Sequence, residues 1–134
     1  MYFVVRNEMS ELRVMLLQLQ MPHVNTASEK LSSIERICAI IKASPRADLY
    51  VLPELAPVGY TENAFAALEV LAEDEFSNDS MCRVKFASLA RELQAFICYG
   101  VPGKLSQKVN ITQRQTRNSF KKIEQHFVFE KFTA

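Results

Sequence analysis

Glu54 is the residue in this sequence best placed to do chemistry, because it stands at the end of a predicted strand. The stretch Asp48–Glu54 (DLYVLPE) is an apolar run of strand length, and Pro53 lacks the N–H that a strand ladder needs. In layered α/β sheets, functional groups gather beyond the carboxyl ends of the strands. A carboxylate there can act as a catalytic group. The alternative is a carboxylate that caps the turn Ala56–Tyr60, in which Gly59 is available for a positive φ.

The three cysteines offer no further site by their spacing. Cys38, Cys82 and Cys98 are odd in number and form no CxxC pair or ligand cluster with His23 or His126. We therefore expect no zinc, no disulfide framework and no cofactor, and a reducing, cytoplasmic compartment. Cys38 should lie in the core on a helix, Cys82 should be half-buried on a helix, and Cys98 should be a small buried residue in a strand.

The elements that position Glu54 alternate between strands and helices. Thr26 and Glu29 form a T-x-x-E capping box, which predicts a helix start, and Ser44-Pro45 ends that helix. The order strand–helix–strand–helix–helix–strand predicts a layered α/β domain with crossover connections. The strands are expected at Arg13–Gln20, Asp48–Glu54 and Ala95–Gly100, and Val101–Gly103 ends the last of them. The two later helices are expected at residues 63–75 and from Asn78 or Ser80 to Leu93.

Apolar residues at helical spacing predict which helix faces are buried. The two stripes are Ala27, Leu31, Ile34, Cys38 and Ile41 in the first helix, and Val84, Ala87, Ala90 and Leu93, with Phe86 and Leu89 beside them, in the last.

Length and composition fit one globular domain with a hydrophobic core. The chain has 134 residues, of which 49% are hydrophobic and 23% charged. Its longest apolar runs, such as Val14–Leu17, are far too short to span a bilayer, and no membrane association is expected. Positive charge collects from Lys104 onward: residues 104–134 contain seven Lys and Arg and two Asp and Glu. Nucleic-acid binding by this tail is the alternative to a solvated surface, and we expect the latter. In the tail, Val109–Thr112 and Phe127–Phe132 could form strands.

The segment Asp48–Tyr60 (DLYVLPELAPVGY) resembles the glutamate signature of the carbon–nitrogen hydrolase superfamily of nitrilases and amidases. That signature is an acidic residue, an apolar strand, Pro-Glu and a short turn ending in Gly-Tyr. The resemblance extends from Leu12 to Ile111: Cys98–Pro102 is similar to a strand that ends in Gly-x-Pro, and Asn110 falls where an asparagine often begins the next strand. It implies a partial α-β-β-α sandwich of the nitrilase type, with a layered, crossover-connected sheet.

The resemblance also implies a Glu-Lys-Cys mechanism. In that reading Glu54 is the general base, and Lys131 is a candidate for the lysine that stabilises the intermediate, with an exposed strand lysine as the alternative; Lys104 fits less well. The nucleophilic cysteine of the family lies beyond the lysine in an Ile-Cys-Tyr-like segment. Ile97-Cys98-Tyr99 imitates that string. Because Cys98 precedes the lysine and fits the earlier strand, it is not expected to be the nucleophile.

The implied organisation is an N-terminal extension (residues 1–11), the N-terminal part of a carbon–nitrogen hydrolase domain (residues 12–111) and a divergent basic tail (residues 112–134). Such a chain is expected to be truncated before the catalytic cysteine. The implied substrate is a small amide, nitrile or carbamoyl compound, and the full-length family forms homo-oligomers. The alternative is a non-catalytic remnant that acts by protein association.

Overall fold

The computed structural model describes residues 1–7, 10–74, 77, 79–104 and 124–130, and within them one five-stranded sheet. The order of strands across the sheet, β1-β2-β3-β4-β5, is also their order along the chain. The strands are β1 (Tyr2–Asn7), β2 (Ser10–Leu16), β3 (Leu49–Val51), β4 (Phe96–Gly103) and β5 (Glu124–Glu130). The helices are α1 (Ala27–Ala43), α2 (Glu62–Ala66), α3 (Leu68–Leu71) and α4 (Met81–Leu93).

The three central strands run parallel, and the two outer ones run antiparallel to their neighbours. β2 pairs with β3 and β3 with β4 in parallel register, whereas β1 forms a hairpin with β2 and β5 pairs antiparallel with β4. Both crossovers, through α1 and through α4, step in the same direction across the sheet. Since crossovers are right-handed, both helices must lie on the same face. The prediction of a layered, crossover-connected α/β fold is confirmed.

The main hydrophobic core lies between that face and the two long helices. Tyr50 and Tyr99 of the central strands are each 1% exposed, and Phe86 of α4 packs on Tyr99 with a ring-centroid separation of 4.6 Å. The cluster also contains buried residues of α1, α4, β2 and β4, and of the loops beside them: Met15, Ile34, Ile37, Ile41, Ala47, Leu52, Ala56, Cys82, Leu89, Ala90, Ala95, Ile97 and Val101.

The opposite face of the sheet carries apolar side chains that remain exposed in the described part of the chain. Val14, Leu49 and Phe96 lie in one row across β2, β3 and β4, and Leu16 and Val51 lie in the next. Of these, Phe96 is 38% and Leu16 37% exposed. None of the helices in the described ranges is long and apolar enough to cross a membrane.

The N-terminal boundary of α1 is as predicted, because its signals are local. The Thr26 hydroxyl accepts from the Glu29 N–H at 3.2 Å, and the Glu29 carboxylate accepts from the Thr26 N–H at 3.1 Å. These two bonds form the capping box. They fix where the helix begins without help from the rest of the fold.

Four other elements differ from the prediction in their bounds. β3, expected at Asp48–Glu54, is confined to Leu49–Val51. β2 begins before Arg13 and ends at Leu16, since pairing with β1 extends it at its start. The helix expected at residues 63–75 is interrupted at Ala67 and ends at Leu71, after which Glu73 forms a bridge to Gly103 at the end of the sheet. β4 continues through Val101, Pro102 and Gly103; Pro102 still offers a carbonyl, which accepts from the Glu73 N–H at 2.8 Å.

The buried helix faces are also rotated from the predicted stripes. In α1, Lys30, Ser33 and Ile37 are buried with Ile34 and Ile41, whereas Ala27 is exposed and Cys38 only half-buried. In α4 the larger Phe86 and Leu89 face the sheet with Ala90, and Val84 is 49% exposed. Cys82, expected to be half-buried, is fully buried, and Cys98 is buried as predicted.

The tail is described only in part. The strand expected at Phe127–Phe132 is confirmed as far as Glu130, where β5 ends. Val109–Thr112 and Asn110 lie outside the described residues, and so does Lys131.

Candidate active site

Glu54 lies three residues after Val51, the last residue of β3, which is the middle strand of the sheet. The ladder to β4 continues to Leu52, whose N–H donates to the Cys98 carbonyl at 2.9 Å, and Pro53 then ends it. Residues 54–58 form a turn, and the Glu54 side chain is exposed. The carboxylate therefore projects at the carboxyl edge of three parallel strands, where α/β sheets hold their ligands.

Main-chain hydrogen bonds close this turn without the Glu54 carboxylate. The Ala56 N–H donates to the Pro53 carbonyl at 3.2 Å. The Val58 and Gly59 N–H groups donate to the Leu55 carbonyl at 3.0 and 2.8 Å. Since these N–H groups already have acceptors, the turn has no need of a carboxylate cap, and the side chain is left to face outward.

Two unusual backbone conformations give the turn its shape. Leu55 has a φ of 52° and Gly59 a φ of 81°. A Cβ on Gly59 would lie 2.2 Å from the Pro22 carbonyl oxygen, so this position requires glycine both for its φ and for close approach. The expectation of a positive φ at Gly59 is confirmed.

Gly100 of β4 lies directly beneath Glu54. A Cβ there would be 3.3 Å from the Leu55 nitrogen, 3.6 Å from Glu54 Cα and 3.7 Å from Glu54 Cγ. Because Gly100 has no side chain, the backbone of the turn can pack closely against β4. The turn that ends in Gly59-Tyr60 and the strand that contains Gly100-Val101-Pro102 are therefore in contact.

A small second hydrophobic cluster supports the turn from inside the protein. Its buried members are Val24, Leu55, Val58, Ala64 and Leu71. Leu55 is 2% and Val58 1% exposed, so the residue next to Glu54 is a core residue. The turn thus presents one outward carboxylate on an anchored backbone.

Tyr60 is the polar neighbour of Glu54. Desolvation of the phenol, together with its hydrogen bond to Glu54 and the charge of Glu54, raises the pKa of Tyr60 to about 12. The hydroxyl therefore keeps its proton at neutral pH. The Tyr60 ring also lies beside Phe65, with ring centroids 6.4 Å apart, and both side chains are about half exposed. Sequence reasoning treated Tyr60 only as part of a motif.

None of the three cysteines has the surroundings of an activated nucleophile. Burial raises the pKa of the Cys98 thiol and that of Cys38, and it raises the pKa of Cys82 well above its ordinary value. A nucleophilic cysteine needs its pKa lowered or a base beside it. Cys98 lies in β4, as expected for a structural residue.

Of the two lysine candidates, only Lys104 lies in the part of the chain that the structure describes. Lys131 lies outside that part, and the Lys104 N–H donates to the Glu73 carbonyl at 2.7 Å, at the far end of β4. Within the described ranges, no group of three or more His, Cys, Asp or Glu side chains is placed to hold a metal ion.

Solved structures of an amidase share this arrangement of strands and helices. N-terminal amidase, solved with a Gln-Gly peptide, superposes with a TM-score of 0.59 at 16% identity over 88% of this chain. Without peptide its TM-score is 0.60 at 15% identity, with the same coverage. A carbon–nitrogen hydrolase from Helicobacter pylori G27 matches 69% of this chain at 22% identity with a TM-score of 0.46. No protein-family model matches the sequence, and no curated protein matches it.

The chain spans about a quarter of the length of the N-terminal amidase, 24%. The expectation of a partial carbon–nitrogen hydrolase fold is therefore confirmed at the level of fold. At these identities the similarity shows the arrangement of strands and helices, and the chemistry depends on the individual residues.

Proposed function

We propose that this chain carries the general base, Glu54, of a carbon–nitrogen hydrolase that acts on a small amide. The observation that supports the proposal is the outward carboxylate at the end of β3, on a turn closed by its own main chain. N-terminal amidase has been solved with Gln-Gly and Asn-Glu peptides. Peptides that begin with Gln or Asn are therefore the first amides to test, followed by nitriles and carbamoyl compounds.

The proposed reaction assigns Glu54 two proton transfers. The carboxylate takes the proton of a cysteine thiol, and the thiolate attacks the amide carbon; ammonia leaves with a proton delivered by the glutamic acid, and a thioester remains. Glu54 then accepts a proton from water as the water attacks the thioester, and the released thiol is re-protonated. A lysine ammonium would stabilise the negative oxygen in both tetrahedral intermediates.

This reaction takes its nucleophile from outside the sequence. The thiols of Cys38, Cys82 and Cys98 are all disfavoured as thiolates, since burial raises the pKa of each. We therefore expect the chain alone to release no ammonia. A polypeptide that supplies the cysteine should restore turnover.

The decisive experiment replaces Glu54 in the complemented enzyme. Glu54→Gln keeps the shape of the side chain and removes the base, and general-base catalysis contributes about 10²- to 10⁴-fold, so ammonia release should fall by about that factor. Glu62→Gln is the matched control, because Glu62 is an exposed carboxylate in the neighbouring helix α2. Equal rates for Glu54→Gln and Glu62→Gln would refute the assignment. Ammonia release by the chain alone, abolished by thiol alkylation, would refute the need for an outside cysteine.

The alternative function is association without catalysis. It is favoured by the open sheet face, where Phe3, Leu12 and Phe96 are 45%, 43% and 38% exposed. Sedimentation would show association that weakens when Phe96→Lys places a charge on this face. Val84→Lys, on the exposed side of α4, is the control. A monomer in every case would remove this alternative.

A further inference from the structure

A buried ion pair, Lys30 with Glu73, has no part in the proposed proton transfers. Lys30 of α1 is 3% exposed and Glu73 is 7% exposed. Lys30 Nζ lies 2.5 Å from Glu73 Oε1 and donates to the Leu71 carbonyl oxygen at 2.7 Å. Removing two charges from water costs nearly as much as their attraction returns. The pair is therefore poorly explained as a source of stability alone.

Glu73 links three elements, α1, α4 and β4. Its carboxylate accepts from the Cys82 N–H, at 3.0 and 3.2 Å to its two oxygens, and from the Ser80 hydroxyl at the start of α4. Its N–H donates to the Pro102 carbonyl of β4 at 2.8 Å, and its own carbonyl accepts from the Lys104 N–H at 2.7 Å. The Glu73 backbone is thus fixed to the sheet while its side chain joins α1 to α4.

The same pair reaches the Glu54 turn through Leu71. Leu71 is fully buried, and it belongs to the cluster that contains Leu55 and Val58. The Lys30 ammonium holds the Leu71 carbonyl directly, and Glu73 holds the chain two residues later. A shift of Leu71 would therefore be transmitted to Leu55, the neighbour of Glu54.

We propose that Lys30 and Glu73 are a positioning pair, which fixes the hydrophobic base on which the Glu54 turn rests. The pair acts through Leu71 and Leu55 and touches neither substrate nor the reacting carboxylate. Its importance for catalysis rests on the proposed function, but its effect on the turn can be measured without any activity.

Hydrogen exchange of single amides gives that measurement. The Val58 and Gly59 amides, both bonded to the Leu55 carbonyl, report on the turn. The Asp48 amide, bonded to the Arg13 carbonyl at 2.8 Å, reports on the opposite end of the sheet. In Lys30→Met, protection of the turn amides should fall by about tenfold or more beyond any fall at Asp48, which reports general destabilisation.

The matched control is Lys42→Met, the same substitution in the same helix. Lys42 forms an exposed ion pair with Glu92 at 2.8 Å, at the other end of α1. It should leave protection at Val58, Gly59 and Asp48 unchanged. An equal loss of protection at all three amides in Lys30→Met would mean a general destabilisation and would overturn the proposal, as would no loss at the turn.

A double variant keeps the test decisive if Lys30→Met does not fold. Lys30→Met with Glu73→Met removes both buried charges, and such apolar replacements are often neutral or stabilising. The Leu71 carbonyl still lacks its donor, so the turn amides should remain about tenfold less protected while Asp48 regains its protection. Full protection of the turn in this variant would overturn the proposal. A Glu54→Gln variant with unchanged ammonia release would remove the proposed function and leave this exchange result standing.

Discussion

Replacement of Gly59 by alanine tests whether the Glu54 turn is as tightly constrained as its geometry implies. The new Cβ would lie 2.2 Å from the Pro22 carbonyl oxygen and 3.2 Å from its carbonyl carbon. Both atoms belong to the backbone, so no side-chain rotation can relieve the contact. Gly59 also has a φ of 81°, a conformation that alanine adopts at a cost.

The expected loss of stability is the sum of these two effects. A left-handed backbone conformation costs a residue with a side chain about 1–2 kcal/mol. Forcing an extra carbon into a packed site costs about 1–3 kcal/mol. Gly59→Ala should therefore lower the free energy of unfolding by about 2–5 kcal/mol, a large part of the ~5–15 kcal/mol that holds a domain of this size together.

Denaturant unfolding of Gly59→Ala beside Gly100→Ala provides the measurement and its control. At Gly100 the nearest atom to a new Cβ is 3.3 Å away, a tight contact that a small shift of the turn relieves. Gly100→Ala should therefore cost less stability than Gly59→Ala and should move Glu54 instead. A loss below about 1 kcal/mol for Gly59→Ala would refute the reasoning, because the left-handed φ by itself should cost alanine about 1–2 kcal/mol.

Two further predictions concern buried ionisable groups. Burial alone would raise the pKa of Glu73, but the Lys30 charge and the hydrogen bonds from Lys30, Ser80 and Cys82 hold it below its ordinary value of 4.5. A lowered pKa in the folded state gives stability that is present above the ordinary pKa and is lost as the pH falls through the folded one. The difference in unfolding free energy between wild type and Glu73→Gln should thus shrink as the pH is lowered below about 4.5; a constant difference from pH 7 to pH 3 would contradict this. The thiols should react slowly with a disulfide reagent at neutral pH, Cys82 slowest, because burial raises the pKa of all three. One thiol that reacts at once in the folded protein would contradict that expectation.

The sequence alone predicts the features of the fold that depend on local signals. The capping box of Thr26 and Glu29, the end of β3 before Pro53 and the positive φ of Gly59 each depend on a few neighbouring residues. Those features place Glu54 at the strand end and make up most of what could be foreseen of the site.

The parts that sequence reasoning missed depend on distant partners. Lys30 stands seven residues before Ile37 and eleven before Ile41, on the same face of α1, and all three are buried. A lysine at that spacing was a signal that a buried carboxylate should exist elsewhere. Nothing local identified Glu73 as that carboxylate, since the residues around it suggested a helix, and only the end of β4 and the start of α4 draw it into the sheet.

Glu54 is exposed, whereas the next residue, Leu55, is buried. A surface carboxylate on a loose loop would be an ordinary solvated charge. Here Leu55 is 2% exposed and holds a φ of 52°, and Gly59 is pressed against Pro22, so the backbone that carries Glu54 has little freedom. The positive φ of Leu55 is a strained backbone conformation, and it is maintained in the turn that carries Glu54. Backbone strain of this kind is found most often at functional sites. The rigidity of its support, more than the motif in which it stands, is the reason to look for the chemistry of this chain at Glu54.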